Sequence, residues 1–238
     1  MDSQKGYKEL STEFYDLSKP VACNTEIKFY ANKINQSNGP VLEAMCGSGR
    51  LLLPLLEMGF DIDGMDNSKA MLLSCQTRAK SLNLSVDLYE NEIEQIESAK
   101  RYGLIYIAVG SFQLIYDIDT ALLTLSSLRE ILLPGGTILL DMFVPWEILG
   151  NDGEPEFLER YVEKKNGDKI TLKSSSIADV RNQILTTTTL YESYENNQVI
   201  ATEEEHLEIR WYYPNEMVLF LEKAGFKWAD ENPSCSHQ

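Results

Sequence analysis

The chain has little with which to hold a metal or cross-link itself. Its 238 residues include two histidines, His206 and His237, and four cysteines, Cys23, Cys46, Cys75 and Cys235. Neither set has the paired spacing of a zinc site or a disulfide framework, so we expect no metal and a reduced, cytoplasmic protein. Basic residues are scarce: 21 lysines and arginines stand against 37 aspartates and glutamates, a net charge of -16. Binding to a phosphate backbone or an anionic bilayer calls for a basic stripe, and none is visible, so neither partner is expected. The apolar runs at 104–115 and 131–140 are too short to span a bilayer, and MDSQKGYKEL lacks the apolar stretch of a cleaved signal. Internal repeats and low-complexity linkers are absent too.

What is present is a folded-protein composition, 43% hydrophobic and 10% aromatic, in a length suited to one α/β domain with a small lid. The chain is organised around VLEAMCGSGR at 41–50: an apolar strand, a turn with Gly47 and Gly49, and a helix expected to start near Ser48 to Arg50. Such a turn aims backbone N–H groups and the positive helix end at a polar ligand. A second strand, Phe60 to Met65, leads to Asp66, which lies 23 residues beyond Glu43. An acid at that place accepts hydrogen bonds from both ribose hydroxyls, or else caps the helix that begins near Asn67 and Ser68.

Strand and helix continue to alternate. Helices are expected over 24–35, 69–80 and 120–132, the last capped by Asp119 or Thr120; Pro54 should kink the helix after the glycine turn. Leu82, Leu84, Val86 and Leu88 alternate as a strand that runs into the polar corner Tyr89 to Ile93. Residues 104–109 form a continuous apolar strand ending at Gly110-Ser111-Phe112-Gln113, and Leu133-Pro134-Gly135-Gly136 turns into a strand over 137–140 that ends at Asp141. The rhythm then changes. A hairpin with Asn166-Gly167 as its type I′ turn and two extended stretches, 182–193 and 198–210, read as an antiparallel sheet with one wet face. Pro214 opens a helix that closes at Gly225, and 226–229 is read as a final strand.

These segments, VLEAMCGSGR, DIDGMDNSKAML, LYENEI, LIYIAVGSFQL, LLPGGTILLD and RWYYPNEMVLFLEKAGF, together resemble the class I S-adenosylmethionine-dependent methyltransferases. The resemblance covers roughly 41–228. It implies a Rossmann-like α/β fold, a seven-stranded, mostly parallel sheet ordered 3-2-1-4-5-7-6, and an antiparallel β insertion that covers substrate, as in sugar-amine N-methyltransferases. The corresponding division is a helical cap over 1–40, a cofactor-binding core over 41–145, a lid over 146–210 and a return to the core over 211–238. By the same resemblance Glu43, Met45, Cys46, Gly47 and Gly49 surround the amino-acid end of S-adenosylmethionine. Asp66 takes the ribose, Asn67 and Met71 line adenosine, and Asn91, Glu92 and Ile93 lie on the adenine side. Val109 and Gly110 border the methyl group. Met45 stands where glycine is frequent, so the loop must adjust there.

An activated methyl on a sulfonium needs chiefly an acceptor atom held in line with it. Tyr15 resembles the N-terminal aromatic that positions substrate in related small-molecule enzymes. Phe112, Phe143 and Trp146 are candidate pocket walls, each also readable as packing; His206, Arg210 and Tyr212 are weaker polar candidates, His206 as an exposed strand residue and Arg210 as an ion pair. The expected partner is a small-molecule methyl acceptor, an amine among the options, with homo-oligomerisation left open. Two other functions remain: a noncatalytic S-adenosylmethionine-binding regulatory or interaction protein, and an NAD-type oxidoreductase, which the missing G-x-G-x-x-G pattern disfavours.

Overall fold

The computed structural model describes residues 7–96, 98–150 and 154–227. Two helices, α1 (Glu9–Ser18) and α2 (Asn24–Gln36), precede a parallel sheet of β1 (Val41–Ala44), β2 (Ile62–Asp66), β3 (Leu88–Glu90), β4 (Tyr102–Ile107) and β5 (Leu132–Leu140). The order across the sheet is β3-β2-β1-β4-β5, with α3 (Leu52–Glu57), α4 (Lys69–Ser81) and α5 (Ile118–Glu130) in the crossovers. After a short helix, α6 (Trp146–Leu149), an antiparallel sheet of β6 (Glu156–Glu163), β7 (Lys169–Asp179), β8 (Ile184–Glu195) and β9 (Gln198–Arg210) leads back to α7 (Pro214–Lys223).

Every residue of β1 and β4 is buried because helices cover both faces of the sheet. Alternation divides the core in two. Val41, Leu104 and Tyr106 face Tyr30, Ile34, Leu52, Leu55, Cys75 and Ala79; Leu42, Ala44, Ile105 and Ile107 face Leu125, Leu128, Met217 and Leu221. At about 1.5–3 kcal/mol for each fully buried aliphatic side chain, these two layers fix the strand order and hold the β1 and β4 ends in place.

The Rossmann-like class and the order 3-2-1-4-5 follow the resemblance, but the parallel sheet has five strands among the described residues rather than seven. The chain leaves β5 for a separate sheet, and Phe226 and Lys227 carry no strand ladder. Trp228 and Ala229, which complete the expected final strand, lie outside the described residues, as do Cys235 and His237.

Local departures have local causes. The helix after the glycine turn starts at Leu52, not near Ser48, and Pro54 falls in its first turn, where a missing N–H costs nothing and no kink is required. The Arg50 carbonyl that residue 54 would have bonded instead accepts from the Ala22 N–H at 3.0 Å. Residues 82–87 are not strand. Asn83 adopts a left-handed conformation (φ 56°), and the Leu84 N–H reaches back to the Ala79 carbonyl, so the leucine alternation is consumed by a helix stop. Asp117 rather than Asp119 or Thr120 caps α5, accepting from the Thr120 N–H at 2.8 Å. Leu133 to Gly136 is an irregularity inside β5: pairing passes from Tyr102↔Leu132 to Leu104↔Thr137. Asn166-Gly167 is not a type I′ turn. The Gly167 N–H bonds the Lys164 carbonyl and only Gly167 of the pair has positive φ, as in a type I turn with a glycine bulge. The two-residue type I′ turn belongs to Asn196 and Asn197, both with positive φ, between β8 and β9.

The antiparallel sheet is fastened to α1. Both Glu203 carboxylate oxygens accept from the helix's free N–H groups, at Leu10 (2.9 Å) and Ser11 (3.0 Å), a cap supplied from β9. Leu10 and Phe14 then pack on Ile170 and Tyr191. On the other side Arg78 of α4 donates to Asp16 of α1 at 3.1 Å, to the Ser48 carbonyl at 2.9 Å and to the Pro20 carbonyl. One guanidinium thus joins α1, the chain that follows it and the glycine loop.

Candidate active site

The sheet's topology changes direction between β1 and β4: β1 passes its chain towards β2, β4 towards β5. In open α/β sheets the crevice for a ligand lies beyond the strand ends at such a point. The backbone there is strained. Met45, one residue past β1, has φ 59°, and Val109, two past β4, has φ 57°. A β-branched residue in the left-handed region is a genuine outlier that costs on the order of 1–3 kcal/mol. Surrounding bonds hold both loops. The Cys46 N–H bonds the Met65 carbonyl at 2.9 Å, while the Val109 and Gly110 N–H groups reach the Asp141 side chain and carbonyl, each at 3.0 Å. Gly110 has no room for a side chain: a Cβ there would come within 2.6 Å of the Phe143 ring. Asp141 is thus the support of the β4 loop, a role legible in the sequence only as an acid at a strand end.

Asp66 ends β2. Its oxygens accept from the Gly47 and Ser68 N–H groups, each at 2.8 Å, which closes the glycine loop onto the neighbouring strand. Burial pushes its carboxyl upward while those N–H bonds pull it back. A carboxylate has about four lone-pair sites, so both oxygens retain capacity for a diol. The helix cap proposed as the rival role belongs to Ser68, whose Oγ accepts from the Met71 N–H. At the end of β3 the Glu92 carboxylate accepts from the Asn67 amide at 2.9 Å, the Asn91 N–H bonds the Asp66 carbonyl, and Ile93 is buried beside them. Met71 lies 3.8 Å from where a Gly47 Cβ would stand, so the β2 and β3 ends and the start of α4 form one wall.

Glu43 is sealed in the sheet, 4% exposed, and accepts from the Tyr106 hydroxyl at 2.7 Å. Burial raises its carboxyl to about 8, against the lowering effects of the Tyr106 bond and the Arg50 charge. Arg50 pairs with Glu26 of α2. Tyr15 is half-buried on α1; burial raises its hydroxyl and the charge of the same guanidinium lowers it. Its ring meets Tyr7 edge to face with centroids 5.8 Å apart, and the Tyr7 carbonyl accepts from the Ser68 hydroxyl. Tyr7 and Tyr15 therefore sit over the Asp66 end of the crevice.

The other substrate candidates scatter. Phe112 and Tyr212 are both buried in the core, Tyr212 tilted against Phe112 and edge-on to Phe220, so the structure gives them to packing. Arg210 makes no ion pair among the described residues. Its guanidinium donates to the Tyr116 and Asn182 carbonyls at 2.7 and 2.8 Å, which fastens the end of β9. His206 is exposed on β9 between Thr188 and Glu204. Phe143 stays partly open against Gly110, and Trp146 is exposed beside Tyr213. Buried Gln113, absent from the sequence candidates, ties the pieces together: its amide accepts from the Phe143 N–H and donates to the Phe143 and Arg210 carbonyls. No sequence signal distinguished it from an ordinary loop glutamine. Among the described residues no cluster of histidine, cysteine or acidic side chains is arranged to hold a metal, and no helix is long and apolar enough to cross a membrane.

A family model described as a methyltransferase domain matches residues 41–136, the stretch that carries this crevice. A protein of Geobacillus sp. (strain WCH70) named as a methyltransferase is 24% identical over 102 residues, 43% of this chain and 41% of its own length. The match thus spans about two fifths of that relative. Solved structures are alike over far more of the chain. The sugar N-methyltransferase KedS8 of Streptoalloteichus sp. ATCC 53650 superposes with a TM-score of 0.73 over 94% of this chain and 89% of its own, at 16% identity. S-adenosylmethionine-bound CalS10, an amino pentose methyltransferase of Micromonospora echinaspora, gives 0.68 over 94% and 91%, at 14% identity.

Proposed function

We propose that this chain is a class I S-adenosylmethionine-dependent methyltransferase that transfers a methyl group from that cofactor to a small-molecule amine, a reading supported by the methyltransferase-domain match over residues 41–136. The observation that carries the reading is the pair of strained loops at Met45 and Val109, on either side of the β1/β4 crevice, with the Asp66 carboxylate tethered beside them. Natural proteins retain such strain where a ligand needs the backbone close.

The residues present suit the cofactor. Asp66 offers lone pairs to two ribose hydroxyls, and Asn67, Glu92 and Ile93 offer a polar edge and an apolar face for the base. Glu43, buried in β1 and hydrogen-bonded by Tyr106, supports the strand end that leads into the Met45 loop. Bound S-adenosylmethionine supplies a methyl group already activated by its sulfonium. The chain's own work is placement: Asp141 fixes the loop of Val109 and Gly110 against the crevice, and Gln113 fixes Phe143 behind it. Tyr15, beside Arg50, limits the approach of the acceptor from the side of α1. An amine is favoured as acceptor by the sugar and amino pentose methyltransferases of the same fold and by a net charge of -16 that attracts cations.

Titration calorimetry with S-adenosylmethionine, S-adenosylhomocysteine and NAD tests the cofactor. We expect binding of both sulfur ligands and none of NAD; no heat with either sulfur ligand would sink the proposal. Mass spectrometry over a panel of amines and alcohols then tests transfer. Tight cofactor binding with no product from any acceptor would favour a noncatalytic binding protein.

A further inference from the structure

The inner face of the antiparallel sheet carries a carboxylate that the proposed cofactor site does not use. Glu205 of β9 is 5% exposed; one oxygen accepts from the Tyr191 hydroxyl at 3.3 Å and the other, Oε1, has no partner. Burying an acid half-satisfied is costly, and native structures keep such groups where a ligand completes them. Its neighbour Glu203 offers the contrast, with both oxygens committed to capping α1. Thr189, directly across from Glu205 in the ladder, and Ser193 are buried polar residues on the same face. That face lies against α1 and Tyr7. The Tyr7 carbonyl accepts from Ser68 beside Asp66 and its ring meets Tyr15, while burial and the Glu205 charge raise its hydroxyl, so Tyr7 links the sheet to the crevice.

We propose that Glu205 is the carboxylate that holds the acceptor's ammonium and takes its proton, the sheet's inner face being one wall of the acceptor site. This rests on the reading of the protein as an amine N-methyltransferase. The step balances. The ammonium gives one proton to the Glu205 carboxylate, and the nitrogen lone pair so freed forms the new N–C bond. As it forms, the S–C bond breaks and its electron pair stays on sulfur. The products are an N-methylammonium, a neutral thioether and a protonated Glu205, which then loses its proton to water. A base for this purpose should titrate near neutrality. Burial raises Glu205 to about 7; the Tyr191 hydrogen bond lowers it, the Glu203 charge raises it and the Lys8 charge lowers it. Among the described residues Tyr7 and Tyr191 also face it, both kept neutral by their burial.

The test uses the full chain with S-adenosylmethionine and a panel of amino-hexoses and benzylamine beside their alcohol counterparts. Wild type, Glu205→Gln and Tyr191→Phe are compared in their pH profiles and in S-adenosylhomocysteine affinity. Glu205→Gln should bind S-adenosylhomocysteine within about twofold of wild type, which also reports that it folds. Its amine kcat/KM should fall at least about 100-fold, and the acidic limb centred near pH 7 should vanish. Tyr191→Phe removes the bond that favours the carboxylate, so its acidic limb should move to higher pH. Wild-type turnover on amines with the same limb in all three proteins overturns the Glu205 assignment alone. Transfer to no amine, or to alcohols only, overturns the amine reading and this inference with it.

Discussion

At the scale of single residues the site depends on acids whose surroundings differ. Asp66 is held by two main-chain N–H groups and Glu43 by one tyrosine in a sealed layer. Asp66→Ala removes the proposed ribose acceptor and unties Gly47 from β2. Hydrogen bonds to a charged group are worth roughly 1.5–3 kcal/mol, so S-adenosylhomocysteine affinity should drop by about 10- to 100-fold in calorimetry, with the fold intact. Glu43 makes a different prediction. Its folded carboxyl titrates at about 8 against an ordinary 4.5, so the folded state binds the extra proton. Its contribution is full below pH 4.5 and is lost as pH rises through 8. Urea unfolding of Glu43→Gln at a series of pH values should therefore show a smaller loss of stability over that window than wild type; parallel curves would refute it. Sequence alone placed both acids at strand ends but gave no view of Tyr106, 63 residues from Glu43, that completes its environment.

At the scale of elements, polar staples from distant parts of the chain decide how α1 and the antiparallel sheet sit. Gln113 satisfies the Phe143 N–H, the Phe143 carbonyl and the Arg210 carbonyl from a fully buried position. Gln113→Leu leaves those groups without partners at about 1–3 kcal/mol each, tempered by relaxation, so a net loss of roughly 2–4 kcal/mol is expected in denaturant unfolding. The parallel core was legible because its signals are local: apolar strands, glycine turns and leucine stripes repeat at short range. The hairpin turns were legible in kind but not in type, since Asn166-Gly167 and Asn196-Asn197 both carry turn chemistry and only the number of loop residues between paired strands separates them. Arg210 read as a substrate contact or an ion pair, yet the partners found are the Tyr116 and Asn182 main-chain carbonyls, which carry no sequence signature.

For the whole molecule, the crevice lies among separate strand ends, so a ligand bound there should stabilise the fold by mass action. Saturation with S-adenosylhomocysteine at 100 times its Kd adds about 2.7 kcal/mol, which for a chain of this length should raise Tm by roughly 5–11 °C in calorimetric scanning. NAD at equal concentration should leave Tm unmoved. The order of the parallel sheet followed from the resemblance, whereas the count of five among the described residues did not, because the chain after β5 pairs within a separate antiparallel sheet.

Pro54 gives the glycine loop a mechanical connection. Lacking an amide proton, it leaves the Arg50 carbonyl for Ala22, while the Arg50 side chain grips Glu26. The loop and the approach to α2 are therefore coupled main chain to main chain, a linkage that side-chain substitution at position 22 does not sever. Quieting the loop with ligand should quiet the Ala22 amide as well, and slower deuterium uptake there on addition of S-adenosylhomocysteine is the expected sign.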